Sequence, residues 1–485
     1  MNFVDLKRQL YSEEFERQIM QQRMYDYYIG DEDQILSYLD WQLKKTFDPA
    51  QIGEYQLNYL NITQKIVNSL AIVYKEPATR FLVHPTKAND SPEVLEVNKY
   101  YEHIQPINLN TKDKDANRLG RLWGKSLTQL FFDKREKRFK YQVLLNHQLF
   151  IKPYDDDPFR AEIVMYEKIV KGEKVTIVWT ETEHFMIDSK DVIKPIGDNE
   201  EKLNPFGVLP FAELPLKETE NYWGQGIRDV INANEQLNVL LTFFKNVSVF
   251  LGTQGTILAV NCDISKKGEV DLDGKRKVRL GVSHGIIVDD VRNDMKDPRL
   301  EHVSFDPHIV EIRDQIDLEV KRIAGLYGLN PNNVISQIKD TSDYQKMMDA
   351  VEQTEVRRDD IEPCRVYEKN RFETLRIMNN IMAGTMEGKS FGLKVIPEEY
   401  ELDVDFAEIG IMKTPEDKQK EREFDAKYNL SSPIDWLIED NPDLTDEEAE
   451  EKILENKDRN RNLLNKEKTL NDLFKQKEVA NAGTQ

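Results

Sequence analysis

Two amphipathic segments of helical length, separated by a glycine-rich insert, constrain the fold of this chain more than any other feature. Apolar residues recur at helical spacing from Ile227 to Leu251 and again from Ile309 to Tyr327. A repeat of about 3.6 residues predicts two long helices, over roughly Gly226–Leu251 and Pro307–Tyr327, each with one apolar face. Because consecutive elements tend to be neighbours in space, the helices should pack antiparallel, with the insert over 252–305 at one end of the resulting arm.

The insert carries a β-hairpin signal and a cluster of positive charge. Glu269–Leu272 and Lys275–Leu280 flank Asp273-Gly274, a pair that is typical of a tight hairpin turn. A solvated hairpin explains such charges as well as a functional patch does. At the tip of the arm, however, the cluster is placed to touch phosphate or a protein partner. We therefore take it as a candidate docking site, formed by Lys266, Lys267, Lys275, Arg276, Lys277 and Arg279.

The remaining patterns mix helices with strands, so the predicted fold class is α+β. Helices are expected in several pieces over 1–75, over 112–130, and over Asp343–Met382 with a bend or break at Pro363. Thr414-Pro415 and Leu444-Thr445 have the composition of helix starts. Strands are expected at Tyr141–Ile151, Glu162–Val170, Val175–Trp179, Leu393–Ile396 and Tyr400–Phe406.

The charge balance limits what the chain can do with nucleic acid. Its 485 residues include 88 acids and 67 bases, which gives a formal net charge of −21. Proteins that grip DNA by neutralising phosphates usually carry the opposite sign. An acidic protein can still guide DNA, but most of the protein surface then repels the DNA. The length itself predicts about three compact units.

The cysteines and the apolar runs predict a soluble protein in a reducing compartment. Cys262 and Cys364 show no paired spacing that would indicate a disulfide framework or a metal knuckle. The first residues lack the apolar core of a signal peptide. The most apolar run, Val239–Leu251, is shorter than the roughly 20 residues that a membrane span requires.

No motif predicts catalysis, a metal or a cofactor. The sequence contains no Gly-x-x-x-x-Gly-Lys phosphate loop. Gly224-Gln225-Gly226 lacks the third glycine and the preceding strand of a nucleotide-binding loop, and a flexible hinge into the next helix explains it. His302 and His308 have no third ligand at metal-site spacing.

One catalytic alternative is a metal-dependent nuclease. Asp403 and Asp405, with Glu416 and Lys418 downstream, loosely resemble the carboxylates and lysine that hold a divalent ion and assist an attacking water. In such enzymes the Glu-x-Lys pair lies on a strand. Here it follows Thr414-Pro415 at a predicted helix start, which argues against the nuclease interpretation.

The order of the elements resembles that of the bacteriophage portal family, the head–tail connectors, over nearly the whole chain. Each match is short, and their order carries the resemblance. The matching stretches are Tyr28-Ile29-Gly30 through Leu39, Asn61-Ile62 through Pro77, Asn204–Phe211, Gly226–Phe250, Ile323–Pro331 and Pro433–Asp443. The first stem helix of that family carries an Asn- or Asp-rich face, to which Asn232, Asn234 and Asn238 correspond here.

The resemblance implies a portal-type subunit with the following parts: an N-terminal α+β wing over 1–222, a first stem helix over 223–251, a small β-rich clip over 252–305, a second stem helix over 306–328, a channel loop over 329–345, a kinked wing helix and strands over 346–413, a helical crown over 414–475 and a flexible tail over 476–485. The channel loop would present Asn332, Asn333, Ile335, Gln337 and Lys339. Family members often have a glycine-rich stretch after this loop, where this chain has Lys339–Asp343, so its tip stays open.

The resemblance also implies a non-enzymatic function. Portal subunits form rings, commonly of twelve copies, at a capsid vertex, and DNA is packaged and ejected through the channel without sequence-specific contacts. The implied partners are other copies of the chain, the major capsid and scaffold proteins, the terminase large subunit, which would supply the ATP-driven work, and a head–tail adaptor. The implied location is the virion, after assembly in the host cytoplasm. A minor capsid or scaffold-associated structural protein without a channel is the structural alternative.

Overall fold

The structure, a computed structural model, describes residues 2–46, 55–170, 172–197, 199–217, 219–253, 256–260, 263–264, 288–289, 299–303, 309–329, 343–406, 415–428, 430–441, 445, 448–457 and 459. The chain divides into two compact units, Met1–Ile409 and Gly410–Gln485. Helices and antiparallel sheets occur together in the first unit, so the fold class is α+β, as predicted.

The helices of the first unit are α1 (Phe3–Glu13), α2 (Phe15–Ile29), α3 (Glu32–Thr46), α4 (Thr63–Leu70), α5 (Pro92–Ile104), α6 (Leu109–Trp123), α7 (Arg228–Thr253), α8 (Ile309–Leu326), α9 (Asp343–Gly384) and α10 (Met386–Ser390). Its strands are β1 (Ala78–Val83), β2 (Lys125–Asp133), β3 (Arg138–Leu144), β4 (Leu149–Pro153), β5 (Ala161–Val170), β6 (Glu173–Trp179), β7 (His184–Ile187), β8 (Ile193–Lys194), β9 (Phe211–Pro215), β10 (Thr256–Val260), β11 (Asp263–Ile264), β12 (Val288–Asp289), β13 (Arg299–Val303) and β14 (Glu401–Phe406).

A five-stranded antiparallel sheet, in the order β4-β5-β6-β7-β8, forms one lobe of this unit. Apolar residues alternate along its strands and are buried on both faces. One face packs against α1 through Leu6 and Leu10. The other face joins a separate core that contains Trp179 and Phe211. The expected strands Glu162–Val170 and Val175–Trp179 are confirmed as the β5–β6 hairpin, whose last pair is Val170 with Glu173.

A further core, distinct from the two beside the five-stranded sheet, connects parts of the chain that are distant in sequence. β2 lies between β3 and β9, and β1 pairs with β14 from Ala78–Phe406 to Val83–Glu401. The C-terminal half of α9 packs against these strands and against α5 through Tyr367, Phe372 and Leu375. The long helix thereby becomes part of the body of the unit.

The helix expected over 112–130 is wrong in its second half. The helix ends at Trp123, and Leu127 and Leu130 lie on β2. Gly124 has a φ of +92°, which ends the helix, and a Cβ at this position would lie 3.0 Å from the backbone nitrogen of Gly226. Both the backbone conformation and the close neighbour disfavour a side chain here, and the apolar run continues as a strand.

Three smaller expectations also need correction. The expected strand Tyr141–Ile151 is divided by a 3₁₀ turn at Asn146–Gln148, where the side chain of Asn146 donates to the carbonyl of Lys125 at 2.8 Å. α9 continues through Pro363 without a break, and the alternative of a bend there stays a prediction. Leu393–Ile396 forms no strand, since its backbone bonds instead to side chains of α9.

Hydrogen bonding of an extended backbone segment to helix side chains occurs more than once in this chain, and Leu393–Ile396 is the first example. Asn380 donates to the carbonyl of Ile396 at 2.8 Å and accepts from its N–H at 2.8 Å. Asn379 donates to the carbonyl of Lys394 at 2.7 Å. The two amides satisfy an extended segment in the way that a neighbouring strand would.

The described part of the second unit contains three helical regions. α11 spans Pro415–Tyr428 and α12 spans Pro433–Asp440, with a capping box between Ser432 and Asp435. Thr445 and Glu448 bond reciprocally at a further helix start. The helix starts predicted at Thr414-Pro415 and Leu444-Thr445 are thus confirmed.

A buried ionic cluster joins β1, α6 and α9. Arg80 donates to Asp113 and to Glu368, each at 2.6 Å, and Arg371 donates to both carboxylates. All four side chains are at most 7% exposed. Burial disfavours the charge of Glu368, but the two guanidinium groups outweigh it and hold the pKa of this carboxyl below its usual range. Two cations thus balance two anions in the interior.

We expect Glu368→Gln to destabilise the protein by about 3 kcal/mol or more, because it leaves Arg80 and Arg371 with one buried counter-charge. Glu362→Gln is the control, since Glu362 pairs with Arg365 on the same helix but is largely exposed. Urea unfolding followed by circular dichroism measures both. Equal midpoints for the two variants would contradict a stabilising balance of charge in the cluster.

Candidate subunit interface on a two-helix arm

α7 and α8 form the predicted antiparallel arm. At one end, the hydroxyl of Tyr327, just after α8, donates to Asp229 at the start of α7 at 2.6 Å. At the other end, β10 follows α7 and pairs antiparallel with β13, which precedes α8. Both helices begin and end within two residues of the expected bounds. The β-pairs β10–β13 and β11–β12 lie where the sequence predicted a β-rich insert.

The base of the arm is buried in a core with α2, α4 and α6. The apolar residues that α7 and α8 contribute lie next to Met24, Ile66 and Trp123 of these helices. They are Val230, Ile231, Leu237, Val320, Ile323 and Ala324, and all are almost fully buried. Side chains in this environment anchor the arm to the body of the first unit.

A turn with two glycines leads into α7. A Cβ on Gly226 would lie 2.2 Å from the carbonyl oxygen of Leu122, and a Cβ on Gly224 would lie 2.4 Å from that of Lys217. Both residues also have positive φ. Close packing, of Gly226 against the end of α6 and of Gly224 against Lys217, accounts for these glycines rather than the flexible hinge expected from the sequence.

The polar face of α7 holds an extended segment, Gln56–Ile62, through its side chains. Asn234 accepts from the N–H of Ile62 at 3.0 Å and donates to the carbonyl of Leu60 at 2.7 Å. Asn238 accepts from the N–H of Leu60 at 2.9 Å. Asn234 and Asn238 are fully buried. Each amide thus supplies hydrogen bonds that a neighbouring strand would otherwise provide.

The same pattern continues for two further steps. The hydroxyl of Thr242 accepts from the N–H of Asn58 at 3.1 Å and donates to its carbonyl at 3.0 Å. Asn246 accepts from the N–H of Gln56 at 2.9 Å and donates to its carbonyl at 2.9 Å. We call Asn234, Asn238, Thr242 and Asn246 the side-chain ladder.

The ladder is possible because the repeats of a helix and of an extended chain nearly match. Four helical residues rise about 6.0 Å, and two extended residues rise about 6.6 Å. Every fourth residue of α7 therefore meets every second residue of the segment. Over the whole ladder the mismatch stays small enough for the side chains to absorb.

A charged pair lies beside the ladder. Glu235 of α7 pairs with Arg23 of α2. Burial raises the pKa of Glu235 to about 7, against the opposing effect of Arg23. The carboxyl is therefore partly protonated near neutral pH, which lowers the cost of burying it.

α8 exposes apolar side chains that the described residues leave uncovered. Val310, Leu318 and Leu326 are 56%, 57% and 63% exposed. The exposed described side chains of α7, by contrast, are all polar: Arg228, Asp229, Asn232 and Gln236. Among the described side chains of the arm, the exposed apolar ones thus lie on α8, and they mark the candidate subunit interface.

Several candidate residues lie outside the described residues. They are the docking residues Lys266, Lys267, Lys275, Arg276, Lys277 and Arg279, the channel-loop residues Asn332, Asn333, Ile335, Gln337 and Lys339, and His308. Their roles remain predictions. His302 lies on β13, where it is paired with Ile257 of β10.

The residues of the nuclease alternative fall on different kinds of element. Asp403 and Asp405 lie on the exposed side of β14, whereas Glu416 and Lys418 lie in α11, so the Glu-x-Lys pair is helical as the sequence predicted. Within the described residues, no group of three or more potential metal ligands comes together. No helix in this part of the chain is long and apolar enough to cross a membrane.

Sequence reasoning identified only part of the ladder. Asn234 and Asn238 were singled out with Asn232, which lies on the exposed side of α7. Thr242 and Asn246 were missed. The available signal was the spacing, since polar residues recur every four positions along a helix whose other face is apolar.

Comparisons with known proteins give distant structural neighbours. No family model and no curated protein matches the chain. Three solved chains come from gene transfer agent particles. The first is from the virion of a native particle, with 14% identity, a TM-score of 0.37, and coverage of 77% of this chain and 87% of that chain. The second is from the neck of an empty particle computed with C6 symmetry, with 12% identity, a TM-score of 0.38, and coverage of 77% of this chain and 87% of that chain. The third is from the neck of a native particle computed with C12 symmetry, with 10% identity, a TM-score of 0.37, and coverage of 76% of this chain and 86% of that chain. These TM-scores are too low to establish a common fold.

We expect Asn234→Ala to lower the free energy of unfolding by about 3 kcal/mol, since it leaves the N–H of Ile62 and the carbonyl of Leu60 buried without partners. Asn232→Ala is the matched control and should be neutral, because Asn232 is exposed on the same helix. Chemical denaturation measures both. A neutral Asn234→Ala would show that the ladder does not hold the segment.

Proposed function

We propose that this chain is the subunit of a portal ring in a phage-like particle. The observation that carries the proposal is the two-helix arm. Its base is buried in the body of the first unit, its far end leads into short β-pairs, and one of its helices keeps apolar side chains exposed. Neighbouring copies would cover these side chains in a ring.

A ring fits the arrangement of the exposed surface. In a head-to-tail ring, each subunit contributes one surface to one neighbour and a different surface to the other. Leu318 would lie in one of these surfaces, and Val310 and Leu326, about two helical turns away on either side, would lie at its edges. Burying an exposed leucine contributes about 1.5–3 kcal/mol, and the contribution recurs at every contact around the ring.

The acidic composition fits a channel for DNA. Twelve copies would carry 12 × (−21) = −252 formal charges. A channel wall of this sign repels the phosphate backbone, so that DNA slides without sticking. We propose that a separate terminase performs the ATP-driven work, because the sequence lacks a phosphate loop. The chain itself would not be an enzyme.

The partners belong to the same proposal. The basic cluster between β11 and β12 in sequence, which includes Lys275, Arg276 and Lys277, would dock the terminase large subunit during packaging and a head–tail adaptor afterwards. The major capsid and scaffold proteins would surround the ring at one vertex of the virion. A minor capsid or scaffold-associated protein would share the location but would form no channel.

We expect the purified protein to form closed rings near 12 × 56.8 ≈ 682 kDa, or a neighbouring ring size, in mass photometry. Leu318→Glu should shift the population to monomers, because it places a charge in an apolar contact. Gln315→Glu adds the same charge at an exposed polar position of α8 and should keep the rings.

Electron micrographs of the wild-type protein should show rings with a central opening. A strict monomer or dimer at all salt concentrations would overturn the portal proposal. If rings persist in Leu318→Glu, the contact between subunits does not depend on this face of α8.

We also expect no DNA cleavage in the presence of Mg²⁺ or Mn²⁺, because Glu416 and Lys418 are helical. A plasmid-nicking assay measures this. Metal-dependent cleavage that disappears in Asp405→Ala would favour the nuclease alternative. Asp155→Ala, which changes an exposed aspartate in a turn, is the control.

A further inference from the structure

We propose that a hollow between the end of α4 and one face of α6 binds a phosphate group. The hollow has a volume of about 340 Å³. Lys75 follows α4, and Lys114 and Arg118 lie one turn apart on α6. Asn68 and Ser69 complete its polar lining, and no acidic residue lines it. This inference does not rest on the proposed ring.

The positive charge of this hollow is only partly balanced from within the described residues, since Asp115 lies close to the Tyr28 hydroxyl that Arg118 approaches. Neither Lys75 nor Lys114 forms an ion pair in this part of the chain, and the acid next to Lys114, Asp115, lies 3.8 Å from Lys112 instead. Like charges one helical turn apart repel each other. Three cations that line one hollow therefore have an electrostatic cost that a bound anion would reduce.

The hollow is held by packed elements. Ile66 and Leu70 of α4 share a core with Leu119 and Leu122 of α6. The guanidinium of Arg118 also lies near the hydroxyl of Tyr28 on α2, where burial raises the pKa of the tyrosine and Arg118 opposes that rise. The two helices that carry the donors are therefore fixed before any anion arrives, which reduces the entropy lost on binding.

The donor set favours phosphate over a protein carboxylate. A carboxylate has two acceptor oxygens, whereas a phosphate group offers three or more. Two ammonium groups, one guanidinium, one amide and one hydroxyl provide more donors than a single carboxylate can accept. Guanidinium and ammonium groups together are typical of phosphate recognition.

The alternative is that these cations only complement the C-terminal dipole of α4. Cations near a helix C-terminus stabilise the helix without any ligand. That explanation predicts a lower stability when the charges are removed, and the same effect with or without phosphate.

The test uses the full chain and two phosphate sources. Inorganic phosphate is titrated by calorimetry, and a short fluorescein-labelled DNA duplex is titrated by fluorescence anisotropy over a range of salt concentrations. The variants are Lys75→Gln with Lys114→Gln, and the same pair with Arg118→Gln. The matched control removes three exposed cations elsewhere, as Lys99→Gln, Lys168→Gln and Lys190→Gln.

We expect the wild-type chain to bind at least one of the two ligands. The triple variant should bind that ligand about tenfold more weakly, and the control variant should bind it as tightly as the wild type does. If the duplex is the source, each lost contact should also lower the slope of log affinity against log salt by about 0.9. The double variant keeps Arg118, so a loss of binding there cannot be attributed to unfolding around Tyr28.

Three results would overturn the proposal. The first is no binding of either ligand by the wild-type chain. The second is an equal loss of binding in the matched control, which would indicate a diffuse charge effect. The third is binding of polyglutamate in place of both phosphate ligands, which would assign the hollow to an acidic protein partner.

Discussion

An extended segment that lies along a helix has no neighbouring strand to complete its backbone hydrogen bonds, and in this chain side chains supply them. Asn234, Asn238 and Thr242 accept in turn from the backbone N–H groups of Ile62, Leu60 and Asn58, which are every second residue of the segment. Because an unpaired buried amide costs about 1–3 kcal/mol, the segment could not lie here without these partners. The attachment of α7 to the preceding helices depends on this arrangement.

The buried ionic cluster performs a similar task for α9. Arg80 on β1 and Glu368 on α9 are 288 positions apart in sequence, and Asp113 on α6 joins them. A buried cluster of four charges gives up its hydration, so its geometry has to be satisfied nearly completely. Such a requirement favours one position of α9 over slipped alternatives. The β1–β14 pairing then brings the segment after α9 back to the same sheet.

The sequence predicts local patterns correctly and fails where a distant part of the chain or the backbone itself decides the structure. The bounds of α7 and α8 were predictable because an apolar stripe is a local pattern. The extension of α6 to 130 was wrong because Leu127 and Leu130 continue the helical spacing of Leu119 and Leu122, while Gly124 ends the helix through its backbone. Leu393–Ile396 has the apolar and β-branched residues of a strand, but its partners are the amides of Asn379 and Asn380.

The pairing of distant residues was beyond the reach of a single sequence. Nothing local marks Arg80, Asp113 and Glu368 as partners, since ionic contacts have no characteristic spacing between separate elements. The side-chain ladder differs in this respect. Its four-residue repeat is visible in the sequence, but the repeat alone does not reveal that the partner is a backbone rather than solvent or another helix.

The ladder also determines which surface of the arm is left for a neighbouring copy. One face of α7 is occupied by Gln56–Ile62, and a second is buried against α8 and the core. The exposed side chains that remain on the described part of α7 are polar and lie near its start. On α8, by contrast, Leu318 and Leu326 stay uncovered. In the proposed ring, α7 would therefore fix the arm to its own subunit, and α8 would contact the next one.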